Sequence, residues 1–436
     1  MHLITTNSAL EDFCATVADE PCLAVDTEFI RETTFWPVLC LIQAAGAQTA
    51  VLIDPLAEGL DLAPFFRLLQ RPGLCKVLHG GQQDIEIFYQ LSGAMPTPVF
   101  DTQIAAMVCG FGNSVGYEAL VQALLQKKLN KRARVTDWRR RPLAQEQLTY
   151  ALADVVHLHA LYDALQKELA RRGRSAWIAE ETAKLTDPHT YDMTVGRIWQ
   201  RLMLQDKSPP VRAVAYALTA WREEEAQRRN KPRRHILKDE LIRLLAKTPP
   251  RSAHELSHMR NLPIGFRHSA LAKSLVPVVS NALDTPPQVP PLPDAVPPPR
   301  SPALLPLLKL LLAHCAAEQK VAPKLLATAD ELAVFASARP PQDSPILRGW
   351  RREIFGQYVL DLLRGALCVR VRDGVPYFVP LGDGAAAQAE THQHAQHRSQ
   401  RQRQQDAEKA EQMPARNEGE NRPDRMQRDA VAHQKR

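Results

Sequence analysis

The segment LAVDTEF, running from Leu23 to Phe29, sets Asp26 and Glu28 two residues apart at the end of an apolar run. In an extended strand residues i and i+2 share a face, so the two carboxylates point the same way. At an effective dielectric near 20, like charges about 4 Å apart repel by roughly 4 kcal/mol, a cost that a divalent cation or a proton between them removes. For such a pair alone the plainer alternative is a solvent-facing strand end where water screens both charges. Asp84 follows the strand-like stretch ending at His79 and the turn Gly80-Gly81, and it opens a helical pattern. It suits either a ligand role or that of an acid favoured by the positive end of a helix dipole. Tyr150 and Asp154, within LTYALADVVHLHALYDAL, are spaced i, i+4 and so share one helix face. A simple hydrogen-bonded phenol–carboxylate pair is the alternative there.

These residues need a scaffold, and the first 170 positions supply a mixed pattern. Short apolar runs over 22–25, 38–44, 49–53 and 76–79 predict strands, and the 3.6-residue period predicts helices over 60–69, 82–91, 102–109, 117–126 and 145–169. Strands interleaved with helices argue for an α/β domain around a central sheet. Helical signals dominate from Thr190 to Leu283 and again from Ala303 to Leu367.

Length and charge organise the rest. A chain of 436 residues, 45% hydrophobic and 24% charged, can bury a sizeable core and exceeds one ordinary domain. Its net charge is +7, but residues 207–280 hold 15 Lys and Arg against 6 Asp and Glu, a local surplus of +9 that leaves −2 for everything else. A concentrated basic surface suggests a polyanion, since neutralising phosphates releases counterions; a well-solvated basic helical domain is the alternative. Ten of the 21 residues from Pro286 to Pro306 are proline, which predicts an extended linker. From about Gly384 the chain is Gln, His, Arg and Glu with almost no aromatic or β-branched residues, too little to offset ordering entropy, so a disordered tail is expected. The seven cysteines are odd in number and form no C-x-x-C pair, which predicts reduced core residues and disfavours zinc. No opening basic flank leads into an apolar run, and the longest apolar candidate, 303–317, is broken by Pro306, Lys309 and His314. A cytoplasmic protein with no membrane partner is expected.

Taken together the acidic residues are more specific than any one of them. D-x-E on an early strand, a later Asp84 and Y-x-x-x-D on a late helix resemble the DEDDy group of 3′–5′ exonucleases. Within that group the strings DTEF (Asp26–Phe29), LIQ (Leu41–Gln43), IDP (Ile53–Pro55), FDTQ (Phe100–Gln103), TDW (Thr136–Trp138) and RPL (Arg141–Leu143) resemble ribonuclease D. The stretch from about Val211 to Ala282, with AWREEEAQRRNKPRRHILKDELI, is similar to the helicase-and-ribonuclease-D C-terminal (HRDC) domain, a small nucleic-acid-binding helical module. The resemblance implies a ribonuclease H-like α/β exonuclease domain with a mixed central sheet, one or two all-α domains and the tail. The expected divisions are 1–170 exonuclease, 171–206 connector, 207–284 basic module, 285–302 linker, 303–382 a second, divergent helical copy and 383–436 tail.

It also implies chemistry. Asp26, Glu28, Asp84 and Asp154 would hold two Mg²⁺ or Mn²⁺ ions, hard cations suited to oxygen ligands, and Tyr150 would orient the attacking water. A phenol with a pKa near 10 is a weak base at neutral pH, so much of the activation must come from the ions. The implied activity is a 3′–5′ exoribonuclease releasing nucleoside 5′-monophosphates from RNA with a free 3′ end, precursor transfer RNA foremost, acting as a monomer. Single-stranded DNA in repair is the competing substrate, and a non-catalytic RNA-binding adaptor the competing class. Other residues are weaker candidates for nucleic-acid contact: His79, Lys131, Trp138, Arg139 with its neighbours Arg140 and Arg141, Arg233 and Arg234, with Phe35 and Trp36 as aromatic candidates. The family's Lys-Ser is Lys131-Arg132 here, so a serine-dependent role is missing. Asp101 is expected to cap a helix rather than bind a metal.

Overall fold

The computed structural model describes residues 2–129, 136–192, 194–202, 208–291, 299–337 and 340–381. Lys131, part of the proline-rich stretch and the tail lie outside them. One compact unit runs to Gln357 and a second begins at Tyr358.

The N-terminal part is built on a six-stranded sheet in the order β1-β4-β3-β2-β5-β6. The strands are β1 (His2–Ile4), β2 (Cys22–Ile30), β3 (Val38–Ala45), β4 (Ala50–Ile53), β5 (Cys75–Leu78) and β6 (Val99–Asp101). β2 is antiparallel to β3 and parallel to β5, so the strand that carries Asp26 and Glu28 is central. Its Cys22–Val25 half is buried throughout, as expected of a strand covered on both faces. Helices α1 (Asn7–Val17), α2 (Ala63–Leu69) and α3 (Gln82–Ser92) share a core with the sheet that includes Leu10, Phe13, Phe65 and Phe88. A second core joins Ala24, Val77 and Phe100 to α4 (Thr102–Val108), α5 (Tyr117–Leu125) and α7 (Leu158–Arg171). α6 (Gln145–Ala153) precedes α7, and α8 (Ser175–Leu185) follows it.

Three differences from the sequence reading matter. β1, α1 and β6 lie where no element was expected; two of them are three-residue strands, too short to carry a period. The expected helix over 145–169 breaks between Ala153 and Leu158. There the Tyr117 hydroxyl donates to the Ala153 carbonyl at 3.1 Å, an acceptor that a continuous helix would use for itself. Third, the expected helical region through 382 ends in a hairpin of β7 (Leu367–Arg372) and β8 (Val375–Pro380). Asp373 and Gly374 both have positive φ, the Asp-Gly turn that matches strand twist.

Helices α9 (Val195–Arg201), α10 (Pro209–Arg228), α11 (Arg233–Ile236), α12 (Asp239–Lys247), α13 (Ala253–His258), α14 (Ile264–Arg267) and α15 (Ala270–Asp284) form the first helical module. Its core contains Trp199, Leu218, Ile242, Leu245, Leu256 and Leu275. The start of the linker, up to Pro291, does not swing clear of it, because the Pro290 carbonyl accepts from Trp199 Nε1 at 3.2 Å and from Arg212 at 3.1 Å. The second module opens with α16 (Leu304–Gln319), α17 (Pro323–Leu326) and α18 (Ala329–Ala336). It repeats the landmarks of the first at the same spacing. Asn230 and Lys320 both sit at left-handed φ, four-residue helices follow at Arg233–Ile236 and Pro323–Leu326, and Ile242, Leu245, Ala246 match Leu332, Phe335, Ala336 in burial. All seven cysteines are free thiols, four of them buried.

Candidate active site and nucleic-acid surface

Asp26 and Glu28 lie opposite Gln43 and Leu41 of β3, and a bulge between Glu28 and Phe29 bends the strand just past them. Asp84 stands in the first turn of α3, Tyr150 on α6 and Asp154 at the C-cap of α6. Thr27 bridges two of these segments, its hydroxyl donating to Asp84 Oδ1.

The turn leading to Asp84 is built with few options. Gly80 has φ +67°, and a Cβ on Gly81 would come within 2.6 Å of Leu78. Both glycine N–H groups donate to Asp101, at 3.1 and 2.8 Å, and the same carboxylate caps α4 by accepting from Gln103 N at 2.8 Å and Ile104 N at 3.1 Å. One carboxylate, 1% exposed, thus braces the β5–α3 turn and the start of α4 together. Asp101 is the expected cap.

Electrostatics tie the acids to one another. Asp26 keeps some exposed surface as a residue, but its carboxyl is ringed by protein. Desolvation first, then the charges of Asp84, Asp154 and Glu28, hold its pKa well above the ordinary aspartate value. Asp84 is pushed up to about 6, mainly by burial, against the lowering effect of the Thr27 hydrogen bond. Burial also raises the Tyr117 phenol, with Asp154 and Asp26 adding to it, which brings Tyr117 into the field of the site. Among the described residues no three His, Cys, Asp or Glu side chains are drawn together as a finished metal cage. The donor set nonetheless fits divalent ions: carboxylate oxygens only, from three segments, with the charges of Asp84, Asp154 and Glu28 all acting on Asp26.

The weaker candidates divide. His79 faces inward, with Nδ1 2.9 Å from Thr102 Oγ1 and Nε2 3.0 Å from the Val115 carbonyl, and burial lowers its pKa. Trp138 is 4% exposed in a core with Cys40, Leu41 and Ala151, its ring 6.2 Å from that of Tyr150. A buried indole is not placed to stack on a nucleotide; it packs beside Tyr150 instead. Arg141 clamps Asp54 through two bonds of 2.6 Å and donates to the Cys40 carbonyl at 2.7 Å, an anchor rather than a substrate contact. Arg139 is exposed beside Asp137 at 3.0 Å. Phe35 is buried against the first helical module, while Trp36 remains 38% exposed. Arg233 is held by buried Glu223 through two bonds of 2.5 Å, and its guanidinium lies 4.7 Å over the Phe35 ring. Arg234, in contrast, lines two cavities of about 450 and 690 Å³; the smaller also takes in Arg201, Arg222, Arg233 and Lys238. Sequence reasoning missed Thr27, Tyr117 and Arg201. Thr27 was available from the DTEF string; nothing in the spacing points to the other two. Among the described residues no helix is long and apolar enough to cross a membrane.

Comparison with known proteins agrees with this layout. Residues 1–170 match the family described as 3′-5′ exonuclease, and residues 211–263 match the HRDC domain. The chain is similar to ribonuclease D of Nitrobacter hamburgensis, 43% identical over 377 residues that cover 86% of this chain and 98% of that one. It is likewise 43% identical to ribonuclease D of Granulibacter bethesdensis, over 85% of this chain and 94% of the other. Among solved structures it resembles Escherichia coli RNase D, described as an exoribonuclease involved in structured RNA processing, with a TM-score of 0.71, 28% identity, and coverage of 84% of this chain and 98% of that one.

Proposed function

The chain belongs to the ribonuclease D family and is a 3′–5′ exoribonuclease; from that premise we propose that it uses two divalent metal ions to trim precursor transfer RNA and other structured RNA, releasing nucleoside 5′-monophosphates. The observation that carries the metal assignment is the placement of Asp26 and Glu28 on β2, Asp84 in the first turn of α3 and Asp154 at the end of α6, where the charges of the other three acids all bear on Asp26. Asp26, Glu28, Asp84 and Asp154 would hold Mg²⁺ or Mn²⁺. Bound there, the ions supply charge stabilisation for the attacking and leaving oxygens of an in-line displacement at phosphorus.

The chain's own residues do the rest. Tyr150, backed by buried Trp138, would orient the attacking water. Thr27 holds Asp84 against the strand that bears Asp26, and the Asp101 brace keeps the β5–α3 turn in register. Arg201, Arg234 and Lys238, which border one cavity, would neutralise backbone phosphates upstream of the 3′ end. In this division of labour 1–170 hydrolyses, 207–284 grips and the copy opening at 303 buttresses. The second copy fits that part because Arg174, just past the exonuclease domain, reaches the carbonyls of Gln319 and Lys320, and Ala322 N donates to the Met107 carbonyl within it.

The test is product analysis on a 3′-extended transfer RNA and on single-stranded DNA of matched length, with Mg²⁺, Mn²⁺ or EDTA. Metal-dependent release of 5′-monophosphates from the RNA is the expected result. Preference for DNA, or activity unaffected by EDTA, would overturn the substrate or the metal assignment respectively.

A further inference from the structure

We propose that Asn230 is a positioning residue that locks the first helical module onto the loop leaving the carboxylate strand, so that RNA gripped by the module is aimed into the exonuclease site. The loop 31–37 is tied at its start and at its tip. Where it leaves β2, Arg31 donates to Glu86 at 2.7 and 2.6 Å, and Glu86 stands two residues beyond Asp84 on α3. At its tip the N–H groups of Phe35 and Trp36 both donate to Asn230 Oδ1, at 3.0 and 3.1 Å.

Asn230 can do this because of its backbone. Its φ is +47°, a region where asparagine is among the few tolerated non-glycine residues. Its own N–H donates to Gln227 O and that of Lys231 to Ala226 O, which closes the end of α10 and leaves the side chain free to reach outward. Beside the clasp, Phe35 is packed into the module's core beneath Arg233. Arg233 also borders the cavity shared with Arg201, Arg234 and Lys238, so a single residue touches both the clasp and the phosphate-binding surface.

The second copy uses the same corner. Lys320, at the matching left-handed position, accepts from Arg174 through its carbonyl at 3.3 Å, and Ala322 N donates to the Met107 carbonyl at 2.9 Å. Both modules therefore meet the exonuclease domain through the end of their first long helix. The backbone of Asp26 and Glu28 is set by pairing with β3, and Asp84 by Thr27 and the Asp101 brace, none of which involves Asn230. The clasp fixes where the module's cations stand, not the chemistry.

This inference rests on the proposed RNA-trimming function and is tested with the full chain. Asn230→Gly keeps the positive φ and removes the acceptor; Asn230→Asp keeps both. On a 3′-extended hairpin RNA, N230G is expected to raise KM about tenfold, the effect of losing two ordinary hydrogen bonds, with kcat within about twofold. On a tetranucleotide, used to sample the exonuclease site with the least contact to the module, its kcat and KM are expected to stay at wild-type values, which also reports an intact exonuclease domain. N230D restores the long-substrate KM. An unchanged KM on the hairpin, an equal loss on the tetranucleotide, or failure of N230D to restore would each overturn the clasp while leaving the exonuclease reading intact. A wild type that shortens neither RNA removes the underlying function and the clasp with it.

Discussion

Replacing Asp101 by alanine removes a single carboxylate that answers four backbone donors, from Gly80, Gly81, Gln103 and Ile104. Two of them belong to the N-terminus of α4, where losing a capping side chain costs about 1 kcal/mol. The other two belong to the turn that launches α3, and bonds to a charged acceptor contribute roughly 1.5–3 kcal/mol each. The side chain is 1% exposed, so the orphaned donors are not reached by bulk water. Allowing for non-additivity within one network and for a water filling the void, the expected loss is about 3–4 kcal/mol. Asp101→Asn keeps one acceptor oxygen but turns an NH₂ toward the Gly81 N–H, and is expected to lose about 1–2 kcal/mol. Urea unfolding of both variants measures this, and RNA cleavage in parallel is expected to fall because Asp84 stands on the turn that has lost its brace. If Asp101→Ala costs less than about 1 kcal/mol while cleavage is retained, the brace does not organise the site.

Two further outcomes follow from the geometry. Asp26 and Asp84 have native pKa values above the ordinary one, Asp84 near 6, so the native state binds more protons than the unfolded chain between about pH 4 and 6. Their contribution to stability is complete below the ordinary carboxylate pKa and is lost as pH rises through the raised values. For Asp84 this is worth about 3 kcal/mol, so in EDTA Asp84→Asn should gain stability on wild type from pH 4 to 7.5, and Mg²⁺ should raise the wild-type Tm more at pH 7.5 than at pH 5; a Tm response to Mg²⁺ that is equal at both pH values contradicts the carboxylate–metal coupling. Arg174 donates to the carbonyls of Val108 at 2.9 Å, Gln319 at 2.5 Å and Lys320 at 3.3 Å, and lies 4.6 Å over Trp177. Arg174→Ala is expected to cost about 3 kcal/mol and to open the second module to limited proteolysis; an unchanged digestion pattern would mean that the module is seated by other contacts, such as Arg351 with Glu180 and Glu181.

What the sequence disclosed depended on how local the signal was. The strand carrying Asp26 and Glu28 was legible because an apolar run marks a central strand, and the Asp101 cap because its partners follow it immediately. The first three-residue strand and the last strand of the sheet were not, since a period cannot be read from three residues. The interruption after Ala153 was hidden because its cause, Tyr117, is remote in sequence. In sequence, Trp138 and the Arg139–Arg141 run suit substrate contact and a turn with a buried tryptophan equally, because charge and aromaticity alone do not separate a surface stack from a buried anchor. A second, divergent copy was expected after the linker, but its register against the first could not be read, since what the two share is the pattern of buried positions and one left-handed residue, while Arg233, Arg234 and Lys238 of the first are Pro323, Lys324 and Thr328 in the second. The Asp-Gly turn of the C-terminal hairpin was a readable signal that the helical pattern before it overshadowed.

The four carboxylates on β2, α3 and the end of α6 are proposed to hold the ions that serve 3′-end hydrolysis of RNA. The most direct measurement of that proposal is Mn²⁺ binding by calorimetry alongside 3′-end cleavage for wild type and Asp26→Asn, a substitution that preserves shape at the position where all the other acids act. The expected result is two bound ions in the wild type, weakened binding in the variant and a rate lower by about a thousandfold or more, the kinetic equivalent of several kcal/mol of lost charge stabilisation. A variant that binds Mn²⁺ as the wild type does and cleaves RNA within about tenfold of its rate would contradict it.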